Sequence, residues 1–75
     1  MKEDPIDLAR VRQWCANGDA ERLRRSARLT RGEVARSCSV SVSTLFKWEA
    51  GERRPTGLGA IRYLAVLEAL AALAE

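Results

Sequence analysis

Residues 29–55 read LTRGEVARSCSVSVSTLFKWEAGERRP, and this stretch decides the fold because it holds two helix starts in close succession. Thr30 and Glu33 have the spacing of a capping box, in which each side chain accepts a hydrogen bond from the other residue's main-chain amide. Ser41 is positioned as a second N-cap, and Gly51 suits the left-handed conformation that ends a helix. The stretch therefore predicts two short helices joined by a turn.

The predicted pair of helices has the geometry of a helix-turn-helix unit, in which the first helix supports the second from behind. The second helix is expected from Val42 to about Ala50, and Pro55 prevents its continuation. Ala35 allows a close approach, because a larger side chain there would push the two helices apart. The side chains expected at the shared corner are Val34, Ala35, Cys38, Val40, Leu45 and Trp48. The outward positions of the second helix, which suit a DNA major groove, are Val42, Ser43, Phe46 and Lys47.

The remaining sequence predicts three further helices, so the expected fold class is all-α: a compact bundle of about five helices in a single domain, residues 1–75. An extra N-terminal helix is expected over 5–17, with Asp4 as its N-cap, and a C-terminal helix over 58–74. A helix from about residue 19 to Arg28 completes the helix-turn-helix core, residues 19–55. Its expected buried residues are Ala20, Leu23 and Ala27, and its expected outward residues are Arg22, Arg25 and Arg28.

Positive charge is concentrated in the middle of the chain. Residues 22–54 carry nine basic and three acidic side chains, a net charge of +6, whereas 1–21 carry −2 and 55–75 carry −1. A basic middle between mildly acidic flanks is typical of a protein that meets a polyanion with one part of its surface. A solvated face is the alternative, since arginine is also a good surface residue of helices.

The residue content argues against several functional classes. The chain has no histidine, and Cys15 and Cys38 lack CxxC spacing, so we expect no metal, no cofactor and two buried free thiols. Gly57 and Gly59 follow no strand, which favours a loop over a phosphate-binding motif. No nucleophile lies beside a base and no small-molecule site is evident, so an enzyme is rejected. The longest apolar run, 63–74, is too short for a bilayer; without a targeting signal, a cytoplasmic, nucleoid-associated location is expected.

Residues 29–35 and 40–55 resemble the Cro/lambda-repressor type of helix-turn-helix, also called XRE-like, whose pattern is roughly LTxxELAxxxGVSxSTIxxWExGxRxP. The likeness runs without a gap from Leu29 to Pro55 and includes the run Trp48-Glu49-x-Gly51. It implies a lambda-repressor-like DNA-binding domain whose partner is double-stranded DNA.

The resemblance also implies roles for individual residues. Base-reading side chains are expected at Val42, Ser43, Phe46 and Lys47. Contacts to DNA phosphates are expected at Thr30, Arg31, Ser41, Arg53 and Arg54. Thr30 begins a helix whose amides point at a phosphate, and Arg31 is also a candidate for a contact with the recognition helix. A structural ion pair is expected between Arg24 and Glu49, with a plain surface carboxylate at Glu49 as the alternative.

Three departures from the family pattern bear on function. Ser39 replaces the turn glycine, so a residue with a Cβ must adopt or avoid a left-handed conformation. Ala50 replaces the usual asparagine before Gly51 and removes one polar contact. Val42 and Phe46 replace long polar readers, which favours contacts with thymine methyl groups; a protein-binding patch is the alternative.

The sequence thus predicts a sequence-specific transcriptional regulator, a Cro-like or small repressor protein. The alternatives are an antitoxin-type or other protein-binding helix-turn-helix module and an excisionase-like architectural DNA-binding protein. A homodimer through the C-terminal helix is a further hypothesis, because that helix has more apolar residues than one buried stripe needs. They are Leu58, Ile61, Leu64, Leu67, Leu70, Ala71 and Leu73. The N-terminal helix has three candidate roles: covering this surface, forming a dimer contact, or adding a DNA contact through Arg10 and Arg12.

Overall fold

The structure, a computed structural model that describes residues 3–74, consists of five helices joined by short turns, and this range contains no strand. The helices are α1 (Pro5–Ala16), α2 (Asp19–Ser26), α3 (Arg31–Cys38), α4 (Val42–Glu49) and α5 (Gly57–Leu73). The predicted all-α fold is therefore confirmed.

Three helix starts follow the capping signals in the sequence. The Asp4 carboxylate accepts the Ile6 amide at 2.8 Å at the start of α1. At the start of α3, the Thr30 hydroxyl accepts the Glu33 amide at 3.1 Å, and the Glu33 carboxylate accepts the Thr30 amide at 2.8 Å. Ser41 caps α4 by accepting the Thr44 amide at 3.0 Å. These contacts satisfy amides that a helix start leaves without partners, and they confirm the predicted capping box.

Helix α2 is shorter than predicted, and it buries a residue other than the ones predicted. It ends at Ser26 and not near Arg28, because Arg28 adopts a left-handed conformation with φ of 60°. The Leu29 amide then donates to the Arg24 carbonyl oxygen at 3.1 Å, which closes the turn toward α3. As a result Ala27, which was predicted to be buried, is exposed, whereas Arg24 is buried.

The turn between α3 and α4 uses a left-handed serine. Ser39 ends α3 with φ of 58° and ψ of 40°, the conformation that the family pattern assigns to glycine. Its amide donates to the Arg36 carbonyl at 3.2 Å, and the Val40 amide donates to the Ala35 carbonyl at 3.1 Å. A left-handed residue with a Cβ costs about 1–2 kcal/mol, so the turn keeps its geometry at some expense of stability.

The prediction of a loop at Gly57 and Gly59 was wrong, because both lie in the first turn of α5. A Cβ at Gly59 would lie 2.5 Å from Cγ1 of Val40, which shows how closely α5 approaches the turn after α3. Gly59 therefore allows α5 to pack closely against this turn.

The long helix α5 forms the centre of the bundle, where it packs against α1, α2 and α3. Tyr63 of α5 is fully buried and stacks on Trp48 of α4, with ring centroids 5.8 Å apart. This contact joins the second helix of the helix-turn-helix unit directly to the core. It makes the orientation of α4 depend on α5 as well as on α3.

The N-terminal helix covers part of the apolar surface of α5. Leu64 and Leu67 are buried within the bundle, and Arg10 of α1 forms an ion pair with Glu68 of α5. Leu58 and Leu73 stay exposed, at 43% and 79%. The apolar excess of α5 is thus partly a consequence of its cover by α1.

Candidate nucleic-acid interface

Helix α4, the second helix of the helix-turn-helix unit, has one buried side and one exposed side. Leu45 is fully buried, and Trp48 is 3% exposed. The four predicted base-reading residues are all exposed, and they include two large apolar side chains, Val42 at 51% and Phe46 at 44%. The other two are Ser43 and Lys47. A helix with one exposed face and the opposite face packed into the core has the form needed to enter a major groove.

A buried carboxylate ties α4 to the two helices that precede it. Glu49 accepts hydrogen bonds from Nε and Nη2 of Arg24, at 2.6 and 3.2 Å, and from Nε of Arg31, at 3.1 Å. Arg24 also donates from Nη1 to the Leu29 carbonyl at 2.8 Å. The side chains of Arg24 and Glu49 are only 8% and 2% exposed. This Glu49 clamp, formed by Arg24, Arg31 and Glu49, fixes α2, α3 and α4 against one another.

The clamp changes the acid–base properties of its buried cation. The hydrogen bond to Glu49 raises the pKa of Arg24, and it outweighs the burial that lowers this pKa. Both charges are out of water, so each needs the other to remain stable in the interior. The structure thus has the predicted Arg24–Glu49 pair as a buried contact and not as a surface one.

Arg31 contacts α4 in a way that the sequence did not specify. Its guanidinium carbon lies 5.0 Å from the centroid of the Phe46 ring, while its Nε donates to Glu49. Its Nη2 lies 3.8 Å from the Glu21 carboxylate. A cation over an aromatic face is attracted by the ring, so Phe46 and Arg31 hold each other in place. The contact joins residues 15 positions apart that belong to different helices, which local patterns do not reveal.

The two predicted phosphate contacts with hydroxyl groups lie at helix starts. Thr30 and Ser41 are exposed, and each hydroxyl already takes part in a cap. Helix starts also carry amides without intrahelical partners and the positive end of the helix dipole, which are suitable partners for an anion.

Arg53 and Arg54 lie in the segment after α4. Gly51 reverses the chain with φ of 76°, and the amides of Glu52 and Arg53 donate to the Lys47 carbonyl at 2.9 and 3.3 Å. Both arginines are exposed, and neither forms an ion pair with any residue from 3 to 74. They retain their full capacity to bind an anion.

The basic residues divide into two groups by their partners. Several are paired with carboxylates and serve the fold: Arg10, Arg22, Arg24, Arg25 and Arg31. Within the described part of the chain, seven basic residues have no acidic partner: Arg12, Arg28, Arg36, Lys47, Arg53, Arg54 and Arg62. Three of these seven uncompensated cations, Lys47, Arg53 and Arg54, lie on α4 or directly after it.

The two cysteines are buried free thiols, as predicted. Burial raises the pKa of Cys15 to about 12 and that of Cys38 to about 11. Both thiols are protonated at neutral pH, and a protonated buried thiol is a poor nucleophile and a poor metal ligand. Residues 3–74 bring no three His, Cys, Asp or Glu side chains into a metal-binding arrangement, and no helix in this range is long and apolar enough to cross a membrane.

The comparison with protein families agrees with this geometry. The model of a family described as "Helix-turn-helix domain" matches residues 20–75, about three quarters of the chain, and leaves α1 outside the match. No curated protein and no solved structure matches the chain. The family match contains both helices of the supported pair, α3 and α4, together with the partners of the Glu49 clamp. The chain belongs to the helix-turn-helix domain family.

Proposed function

We propose that this protein is a sequence-specific transcriptional regulator of the Cro-like or small-repressor kind, which reads double-stranded DNA with α4. The observation that carries the proposal is the exposed face of α4, fixed from behind by the Glu49 clamp and bordered by cations without carboxylate partners. A rigid reading face and an uncompensated positive border are what a major groove between two phosphate chains requires.

In the proposed mechanism, the positive middle of the chain first attracts the duplex through its phosphates. The face of α4 then enters the major groove, where Ser43 and Lys47 form hydrogen bonds with base edges. Val42 and Phe46 contact thymine methyl groups. If four to six phosphates are neutralised per protomer, log K falls with log salt with a slope of roughly −3.6 to −5.4.

The remaining predicted site residues fix the position of the protein along the DNA backbone. Thr30, Arg31, Ser41, Arg53 and Arg54 contact phosphates, through capped helix starts on one side of the groove and the segment after α4 on the other. Such contacts carry no base information, so the loss of Thr30, Ser41, Arg53 or Arg54 weakens binding to all sequences alike, whereas Arg31 also touches Phe46.

The test is selection of preferred sites from a random duplex library, followed by affinity measurements on the selected site and on point variants of that site. Lys47→Ala is expected to relax the preference at one base position, whereas Arg53→Ala is expected to weaken all sequences by a similar factor. Arg62→Ala, which removes an exposed arginine from α5, is the matched charge control. If Lys47→Ala and Arg53→Ala change the ranking of sites equally, the assignment of Lys47 to base contacts and of Arg53 to phosphate contacts is wrong.

The exposed apolar pair on α4 supports a second candidate, a protein-binding module of antitoxin type. Val42 and Phe46 together form a patch that a protein partner can also cover. Two results together favour this candidate. The selection returns no preferred DNA site, and the protein forms a defined complex with a protein partner that Phe46→Ser abolishes. An excisionase-like role instead predicts several adjacent sites and strong DNA bending.

We extend the proposal to a homodimer formed through α5, because one small domain contacts only a few base pairs. The support is Leu73, which borders a shallow apolar groove together with Leu23, Ala27 and Leu70. Sedimentation velocity on the wild type and on Leu73→Lys tests this, with a concentration-dependent dimer expected only for the wild type. A wild-type protein that stays monomeric at every concentration, alone and on DNA, rules the dimer out.

A further inference from the structure

A small cavity between α1 and the segment after α4 is bordered by three arginines. Its lining includes Arg12 of α1, Trp48 of α4, and Arg53, Arg54 and Pro55 of the segment after α4. No acidic residue lines the cavity. Three positively charged residues at one cavity without a carboxylate create a positive local potential, so the arrangement favours an anion from outside the chain.

Arg12 is held in this place by a specific contact. Its Nε donates to the carbonyl oxygen of Pro55 at 2.9 Å, and Pro55 itself is buried. Within residues 3–74, its Nη groups form no hydrogen bond and no ion pair. The half-buried side chain is therefore positioned by the chain but keeps its terminal donors available.

Arg10, two residues earlier on the same helix, is in a different situation. It forms an ion pair with Glu68 and lies 3.9 Å from Asp7, so its charge is compensated within the fold. Both arginines were sequence-level candidates for a DNA contact, and the structure separates them. Arg12 faces the cationic cavity, whereas Arg10 faces α5.

We propose that Arg12, Arg53 and Arg54 form one binding site for a single phosphate group of the DNA backbone. The planar guanidinium group offers paired donors that match phosphate oxygens. Three arginines that line one cavity therefore offer enough donors for the two non-bridging oxygens of one backbone phosphate. The cavity lies at the C-terminal end of α4, where Trp48 and Gly51 line it, and the proposal places a DNA backbone there while the exposed face of α4 is in the groove. The inference rests on the proposed DNA-binding function.

This site gives α1 a role beyond covering the core. The helix lies outside the part of the chain that the helix-turn-helix family model matches, yet it supplies one of the three cations. The Arg12–Pro55 contact also fixes the segment that carries the other two. The helix thus adds a phosphate contact to the interface of the matched domain.

The experiment measures affinity for a random-sequence duplex as a function of salt, for the wild type, Arg12→Gln and Arg10→Gln. Glutamine at position 12 keeps a donor for the Pro55 carbonyl but removes the charge. Arg10→Gln changes the net charge by the same amount on the same helix. For Arg12→Gln we expect the salt slope to become shallower by about 0.9, with binding about eightfold weaker at 0.1 M salt and about threefold weaker at 0.3 M. For Arg10→Gln we expect the slope of the wild type.

Arg12→Lys provides a second, charge-preserving variant, and thermal unfolding of all variants shows that each is folded in the binding assay. We expect Arg12→Lys to keep the wild-type slope. Equal slopes for Arg12→Gln and Arg10→Gln overturn the site, and so does a loss of affinity for Arg12→Gln that is the same at every salt concentration. In both cases the proposed function stands. A wild-type protein that binds no duplex at low salt overturns the proposed function and this site with it.

Discussion

The Glu49 clamp allows one stability prediction to be worked out in detail. Replacing Glu49 with alanine leaves Arg24 buried without its carboxylate, and breaking a buried pair by removing one partner costs about 3–5 kcal/mol. A domain of 75 residues has a total free energy of unfolding of roughly 4–11 kcal/mol. The variant is therefore expected to lose a large part of its stability, or to unfold at room temperature.

Urea denaturation followed by far-ultraviolet circular dichroism measures this loss, provided that the m-value stays that of the wild type. Arg31, the more exposed of the two arginines that bind Glu49, provides the control. Arg31→Ala is expected to lower the free energy of unfolding by less than about 1 kcal/mol, because the Arg31 side chain is 37% exposed. The double variant Arg24→Met with Glu49→Leu removes both charges and is expected to be at least about 2 kcal/mol more stable than Glu49→Ala. A cost below about 1 kcal/mol for Glu49→Ala refutes the reasoning, and so does a double variant no more stable than the single one.

Three further predictions concern single residues. Ser39→Gly is expected to raise the free energy of unfolding by about 0.5–1 kcal/mol, since glycine adopts the left-handed conformation more readily, and Ser37→Gly on the exposed side of α3 is the control that should lower it. Tyr63→Phe is expected to leave stability unchanged or raise it by up to about 1–2 kcal/mol in urea denaturation. Within residues 3–74 the buried Tyr63 hydroxyl has no partner at hydrogen-bond geometry, and the Cys15 thiol that interacts with it is a weak one; a loss above about 1 kcal/mol would contradict this. Hydrogen bonds from the Thr30 amide and hydroxyl lower the pKa of Glu33, so its contribution is present above the unfolded-state pKa and is lost as pH falls through the folded-state pKa. Melting temperatures of Glu33→Gln should accordingly depend less on pH in the acid range than those of the wild type, and equal pH dependence would contradict this.

Local sequence signals predicted most of the fold, because they depend on residues that are close in the chain. The capping box at Thr30 and Glu33 and the cap at Ser41 both lie at helix starts in the structure. The end of α2 was predicted wrongly, since Arg28 gives no local sign that it adopts a left-handed conformation. Gly59 lies within the helix predicted over 58–74, but its close approach to Val40 is a tertiary contact that local patterns do not reveal.

The candidate interface was predictable to a smaller extent. The exposure of Val42 and Phe46 follows from helical periodicity, and it agrees with the structure. The Arg12–Pro55 hydrogen bond joins residues 43 positions apart, and only the packing of α1 on the bundle brings them together. For the same reason, the sequence did not predict that Arg31 lies over the ring of Phe46.

The Arg31–Phe46 stack has a consequence for how changes in this surface combine. The two residues carry different proposed roles, backbone anchoring and base reading, but each restricts the position of the other. Their contributions to DNA binding are then energetically coupled, and the effect of changing both differs from the sum of the single effects. If the proposed function holds, a substitution at Arg31 is expected to shift base preference as well as affinity, so sequence choice is adjustable from α3, the helix that supports α4.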